Sequence, residues 1–191
     1  MMLVGISGSP RKGGNTELLL DSFLEGALSR GEDCDKVILN DYNFSPCQEC
    51  DQVNRDGTCR VEDEMKFIYQ KINNADVIVI ASPVFFGSVS AQVKMMVDRY
   101  QCFWMAKNVF HSGIYIKPKK GYFLCVAAHG KDSYFENSRS IVKNFFATIE
   151  AEYSGDIFCN GVEGKSDILS RKDCLDMAYR LGAGEASFHG A

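Results

Sequence analysis

Apolar runs alternate with polar punctuation along this chain, and their spacing changes from one stretch to the next. Residues 2–6 are a short apolar run that predicts a first strand. Leu18, Leu19, Leu20, Phe23, Leu24, Ala27 and Leu28 recur at helical spacing. They predict a helix from a cap at Asn15 or Thr16 to about Arg30, ended by Gly31. Residues 36–39 predict a second strand, and 41–62 carry no period and read as a long loop. Asp63 then caps a helix with Phe67, Ile68 and Ile72 inward, and 77–81 form an unbroken apolar strand of the kind buried in a parallel sheet. A helix from near Ser90 places Val89, Val93, Met96, Val97 and Tyr100 on one face. Residues 101–120 read as an aromatic and basic insertion. A strand over 121–128, a helix over 138–149 and a weaker strand over 154–162 follow. A last helix, opened by a capping box of Ser170 and Asp173, ends at Gly182. Strand and helix alternate throughout, which predicts an α/β fold with five parallel strands and helices on both faces.

Length and composition narrow the field. The 191 residues suit one domain spanning 1–191, with no internal repeat and no linker. The chain is 46% hydrophobic and 24% charged with a net charge of −4, so a nucleic-acid partner is not expected. No apolar run approaches the ~20 residues of a membrane span, and no basic segment followed by an apolar one opens the chain. A cytoplasmic location is expected. Of the eight cysteines, Cys34, Cys102, Cys125, Cys159 and Cys174 are scattered among apolar neighbours and read as small buried hydrophobes. Cys47, Cys50 and Cys59 cluster in the long loop.

Candidate chemistry sits where predicted strands end. Ser7-Gly8-Ser9-Pro10-Arg11-Lys12-Gly13-Gly14-Asn15-Thr16 joins the first strand to the first helix. Such a loop offers N–H and O–H donors at the positive end of a helix macrodipole, with Arg11 and Lys12 adding charge, and reads as a phosphate cradle. Gly8 and Gly13 have the spacing of a nucleoside-triphosphate loop, but Gly14 and Asn15 stand where Lys and Ser/Thr are needed. A single terminal phosphate monoester fits better, and the alternative is a tight turn that binds nothing. The apolar loop Ser82-Pro83-Val84-Phe85-Phe86-Gly87-Ser88 follows the third strand, and Ala128-His129-Gly130-Lys131 the fourth. In open parallel sheets, ligands sit beyond the carboxyl ends of the strands, so the three loops can converge. Phosphate donors, an aromatic wall and a polar edge together suit a flat ring with a phosphate tail, and FMN is the natural candidate.

These stretches, with Lys94 and Asp98-Arg99, resemble the NADPH-dependent FMN reductase family. The resemblance implies a three-layer flavodoxin-like fold, with strand order 2-1-3-4-5 and NAD(P)H as co-substrate. Electrons would pass to a quinone, a flavin or another small acceptor. It places Ser9, Arg11, Gly14, Asn15 and Thr16 on the FMN phosphate, and Pro83, Val84, Phe85, Phe86 and Gly87 against the isoalloxazine, with Phe85 where relatives usually carry Tyr. His129 and Gly130 would edge the flavin, His129 either donating to a flavin oxygen or facing solvent. No side chain need act as acid or base. Arg99 reads as structural, paired with Asp98 or with a neighbouring subunit, and a homodimer or homotetramer is implied. The cysteine loop is similar to that of the iron-sulfur flavoprotein branch, whose compact motif is C-x2-C-x2-C-x4–7-C. Cys47, Cys50 and Cys59 hold the first, second and fourth places, and Val53 the third. A cubane prefers four thiolates, so Asp51 or Asp56 would have to substitute, or three cysteines suffice. Zinc, a Cys47–Cys50 disulfide and a metal-free loop stay open beside the cluster. With a cluster, the chain would be an electron carrier served by a ferredoxin-type partner.

Overall fold

The computed structural model describes residues 1–50, 54–113 and 115–185. Five parallel strands, β1 (Met2–Ser7), β2 (Asp33–Ile38), β3 (Val77–Pro83), β4 (Lys119–Ala127) and β5 (Ala151–Asn160), form one sheet in the order β2-β1-β3-β4-β5. Six helices connect or follow them: α1 (Asn15–Ser29), α2 (Met65–Asn74), α3 (Ala91–Asp98), α4 (Gln101–Asn108), α5 (Asp132–Thr148) and α6 (Lys172–Gly182).

Strand side chains alternate between two cores, as the two-residue period of a pleated sheet requires. Val4, Ile6, Ile78, Ile80, Phe123 and Cys125 face the layer containing α2, α3 and α5. Leu3, Val77, Val79, Ala81, Leu124 and Val126 face α1 and α6. Both faces of β3 are therefore buried, which explains its unbroken apolar run. Gly5 shares the face of Leu3, and a Cβ there would meet Leu20 and Leu24 methyls at 3.1 Å, so α1 rests directly on the β1 backbone.

Several element boundaries differ from the sequence expectation. The N-cap of α1 is Gly14, without a side-chain cap, instead of Asn15 or Thr16. Glu64 occupies the N-cap of α2, although Asp63 Oδ1 still accepts the Met65 N–H at 3.1 Å. Phe67 is exposed, and Met65, Ile68 and Ile72 make the buried stripe. The stretch expected as an insertion opens with the helix α4, which buries Cys102 and Ala106. Helix α5 begins at Asp132, six residues earlier than expected: Phe135 extends its buried stripe, and the small buried Ser138 hides that continuity in the sequence. Strand β5 runs over Ala151–Asn160 instead of 154–162, and it carries a buried carboxylate where the sequence pattern calls for an apolar side chain. Asp156 is 4% exposed and accepts from Arg139 Nε at 2.9 Å and Tyr153 Oη at 2.5 Å. No capping box opens α6: Asp173 pairs with Arg171, and Ser170 Oγ donates to the Asp167 carbonyl. No helix among the described residues is long and apolar enough to cross a membrane.

Candidate functional site

The loops after β1, β3 and β4 lie at the carboxyl edge of the sheet, and hydrogen bonds lock the first two together. Gly8 N–H donates to the Ala81 carbonyl at 2.8 Å, and Ser90 Oγ donates to the Gly8 carbonyl at 2.7 Å. Ser90 N–H in turn donates to Ser82 Oγ at 3.0 Å. Gly8 is required here, because a Cβ would stand 2.2 Å from Val93 Cγ2.

Beyond Gly8 the chain winds into α1 and leaves donors unspent. Among the described residues the N–H groups of Asn15, Thr16 and Glu17 take no acceptor; the first backbone bond into the helix is Leu18 N–H to the Gly14 carbonyl at 3.0 Å. With no side-chain cap, these first-turn donors and the helix dipole stay available to an anion. The Thr16 hydroxyl enters no hydrogen bond among the described residues, whereas the Ser9 hydroxyl accepts from Arg11 N–H at 3.1 Å and donates to the Arg11 carbonyl at 3.3 Å. Arg11 enters no ion pair among the described residues, whereas Lys12 is engaged by Asp41 at 3.1 Å. This donor set fits a phosphate monoester. Three other expected donors are committed elsewhere. Gly14 N–H donates to the Arg11 carbonyl at 3.1 Å. Gly13 N–H donates to Glu17 Oε2 at 2.7 Å. The Asn15 side chain donates to the Gly164 carbonyl at 2.9 Å and accepts from Ile168 N–H, so Asn15 offers its backbone and not its amide. Burial pushes the Glu17 carboxyl up, but the Gly13 N–H and the Lys36 ammonium outweigh it and hold the group below its usual range.

The wall after β3 is a two-residue reversal. Phe85 and Ser88 exchange both backbone hydrogen bonds, at 2.9 and 3.1 Å, around Phe86 and Gly87. Both central residues have positive φ, 50° and 76°, as in a type I′ turn. For a phenylalanine that conformation costs on the order of 1–2 kcal/mol, and Phe86 is fully exposed. Strain and exposure together mark a side chain held out for contact. Gly87 rests on Tyr134 of α5, whose ring would lie 2.9 Å from an added Cβ. Pro83 and Val84 continue from the strand, with Val84 N–H donating to the Val126 carbonyl.

The third loop is held by Asn160, which donates to the Gly130 carbonyl at 2.9 Å and accepts from Gly130 N–H at 2.8 Å. The Gly130 N–H is thus spent. His129 is open to solvent with Glu163 Oε2 at 3.8 Å. Sequence reasoning missed the loop at 161–166, which ties to Asn15 and brings Lys165 to 3.9 Å of the Gly13 Cβ position. It carries no period that could have revealed it.

The cysteine loop folds against the α3–α4 junction. Arg99 is 1% exposed and pairs with Asp63, not Asp98, at 2.7 Å; Asp98 bonds Lys94 one turn earlier. Arg99 also donates to the carbonyls of Ser45 (2.9 Å) and Val61 (3.2 Å) and to Cys59 Sγ (3.3 Å). Burial pushes the Asp63 carboxyl up, but Arg99 and the N–H groups of Ser45 and Met65 hold it below the ordinary range. A cavity of about 80 Å³ here is lined by Cys47, Cys50, Cys59, Arg99 and Cys102, among others. Burial, with Cys59 nearby, pushes the Cys102 thiol up to about 11. Asp51 and Val53 lie outside the described residues. Asp56 is turned to Thr58, accepting from its N–H at 2.9 Å and its hydroxyl at 2.7 Å. A larger cavity, about 470 Å³, lies at the opposite, amino edge of the sheet beside Leu3, Val77 and Lys120.

Sheet order, helices on both faces and a donor-lined loop at the carboxyl edge define a flavodoxin-like protein. The profile of the NADPH-dependent FMN reductase family matches residues 1–151, and the chain belongs to that family. Its members are NAD(P)H-dependent flavin oxidoreductases. An iron-sulfur flavoprotein of Methanocaldococcus jannaschii is 34% identical over 146 residues, 76% of this chain and 72% of that protein. One from Methanosarcina thermophila is 40% identical over 99 residues, 52% of each chain, so this chain spans about half the length of that relative. In three dimensions the chain is similar to NAD(P)H:quinone oxidoreductase from Methanothermobacter marburgensis. The TM-score is 0.74 at 18% identity, over 100% of this chain and 98% of that one.

Proposed function

We propose that this protein binds FMN across the three carboxyl-edge loops and passes electrons from NAD(P)H to a quinone, a free flavin or another small acceptor. The observation that carries this reading is the uncapped first turn of α1, where among the described residues the N–H groups of Asn15 and Thr16 and the Thr16 hydroxyl take no acceptor. These donors and Arg11 hold the phosphate, and the glycines keep side chains out of its way. Pro83, Val84, Phe85, Phe86 and Gly87 form the wall against the ring, with Phe86 presented by its strained turn. His129 and Gly130 edge the site from a loop fixed by Asn160. Bound flavin supplies hydride acceptance at N5, so the chain's task is to bind, orient and exclude water.

The test is NAD(P)H oxidation by FMN-loaded protein with menadione, free FMN or ferricyanide as acceptor. Turnover with at least one supports the reading, and none with any acceptor contradicts it. A second reading is an electron carrier served by a ferredoxin-type partner. The cysteine-lined cavity favours it, and reduction by ferredoxin but not by NAD(P)H would select it.

A further inference from the structure

The cavity at the α3–α4 junction is lined by four cysteines, not three. Cys47, Cys50 and Cys59 come from the loop, and Cys102 comes from the first turn of α4. The helix and not the loop sets the position of Cys102. Its Sγ lies 3.3 Å from the Arg99 carbonyl, which Tyr69 Oη also holds at 2.6 Å. Arg99 lines the same cavity. Its Nη1 and Nη2 groups are fully engaged, one of them with Cys59 Sγ, but its buried Nε has no partner. An orphaned N–H of a buried cation is costly, and the structure offers it no acceptor. An anionic, sulfur-bearing occupant would supply one.

We propose that Cys102 is a fourth thiolate ligand. Cys47, Cys50, Cys59 and Cys102 then hold a [4Fe–4S] cluster, with Cys102 replacing the thiolate that the compact loop lacks at Val53. Such a cluster takes one thiolate on each of four irons, and hydrogen bonds to sulfur tune it. Arg99 already donates one such bond. Asp56 is not an alternative ligand, because its carboxylate is spent on Thr58 and does not line the cavity. Among the described residues, no three His, Cys, Asp or Glu side chains are arranged for a single metal ion.

The test uses full-length protein, prepared without air and reconstituted with ferrous iron and sulfide. Iron, sulfide and FMN are assayed, and EPR spectra are recorded before and after dithionite. The unaltered chain is expected to hold about four iron and four sulfide. Cys102→Ser is expected to lose at least a quarter of the iron or to change the EPR signal, with FMN content unchanged. Cys34→Ser, remote from the cavity, is expected to alter neither. Adding Val53→Cys to Cys102→Ser is expected to restore the iron. That double variant decides the matter should Cys102→Ser also lose FMN: rescue supports the assignment, and no rescue overturns it. Unaltered chain that takes up no iron or only zinc overturns it, as does Cys102→Ser with the unaltered iron content and spectrum. Iron uptake without FMN would instead contradict the flavin reading alone.

Discussion

Thr16 is 2% exposed, yet its hydroxyl has no hydrogen-bond partner among the described residues. A hydrogen bond to a charged group contributes about 1.5–3 kcal/mol. Thr16→Val is therefore expected to weaken FMN binding by roughly ten- to a hundredfold with little change in thermal stability, as read by flavin fluorescence titration. Arg99 offers a stability test. Arg99→Met leaves Asp63 without its cation and is expected to cost about 3–5 kcal/mol in denaturant unfolding. The Asp63 carboxyl is held below its unfolded value, so its stabilisation is fully present above the unfolded pKa and is lost as pH falls through the folded one. The midpoint of unfolding should fall more steeply below about pH 4 for the unaltered chain than for Asp63→Asn. The sequence made Arg99 legible as structural but pointed to Asp98, its chain neighbour. Adjacent helical residues do not face each other, and a partner 36 positions away leaves no local signal.

Among the elements, the α1–α6 contact is closest at its glycines. A Cβ on Gly26 would stand 2.1 Å from the Tyr179 carbonyl oxygen, and one on Gly182 would stand 1.9 Å from that of Phe23. Backbone cannot yield as a side-chain tip does. Gly26→Ala is expected to lower stability by about 1–3 kcal/mol in thermal melts, although alanine favours helix. Strands β1, β3 and β4 and helix α1 were legible because their apolar runs or periods are clean, whereas the edge strands β2 and β5 start three residues earlier than their apolar stretches suggest. Helix α4 was not, since its aromatic residues serve a corner of the core and leave Trp104 outward. The phosphate loop was legible from its small residues and its place before a helix. The diversion of Asn15 to the 161–166 loop was not, because that contact joins segments far apart in the chain.

For the whole molecule, strand–helix alternation sufficed to give a parallel sheet and the edge at which its loops meet. The cysteine cavity escaped that reading, because Cys102 reaches it only once α4 packs against the loop at 47–59. The exposed Phe86 and Trp104 give the surface apolar character that a second copy could cover. A dimer or tetramer is expected in sedimentation, and a monomer would contradict that expectation. The most direct test of flavin binding compares apoprotein titrated with FMN and with riboflavin, which differs only in lacking the phosphate. The expected result is saturable FMN binding, with riboflavin weaker by about a hundredfold or more, the share of several charge-assisted hydrogen bonds. Equal affinity for the two, or no binding of FMN, would contradict the assignment of the loop at 7–16 as a phosphate site.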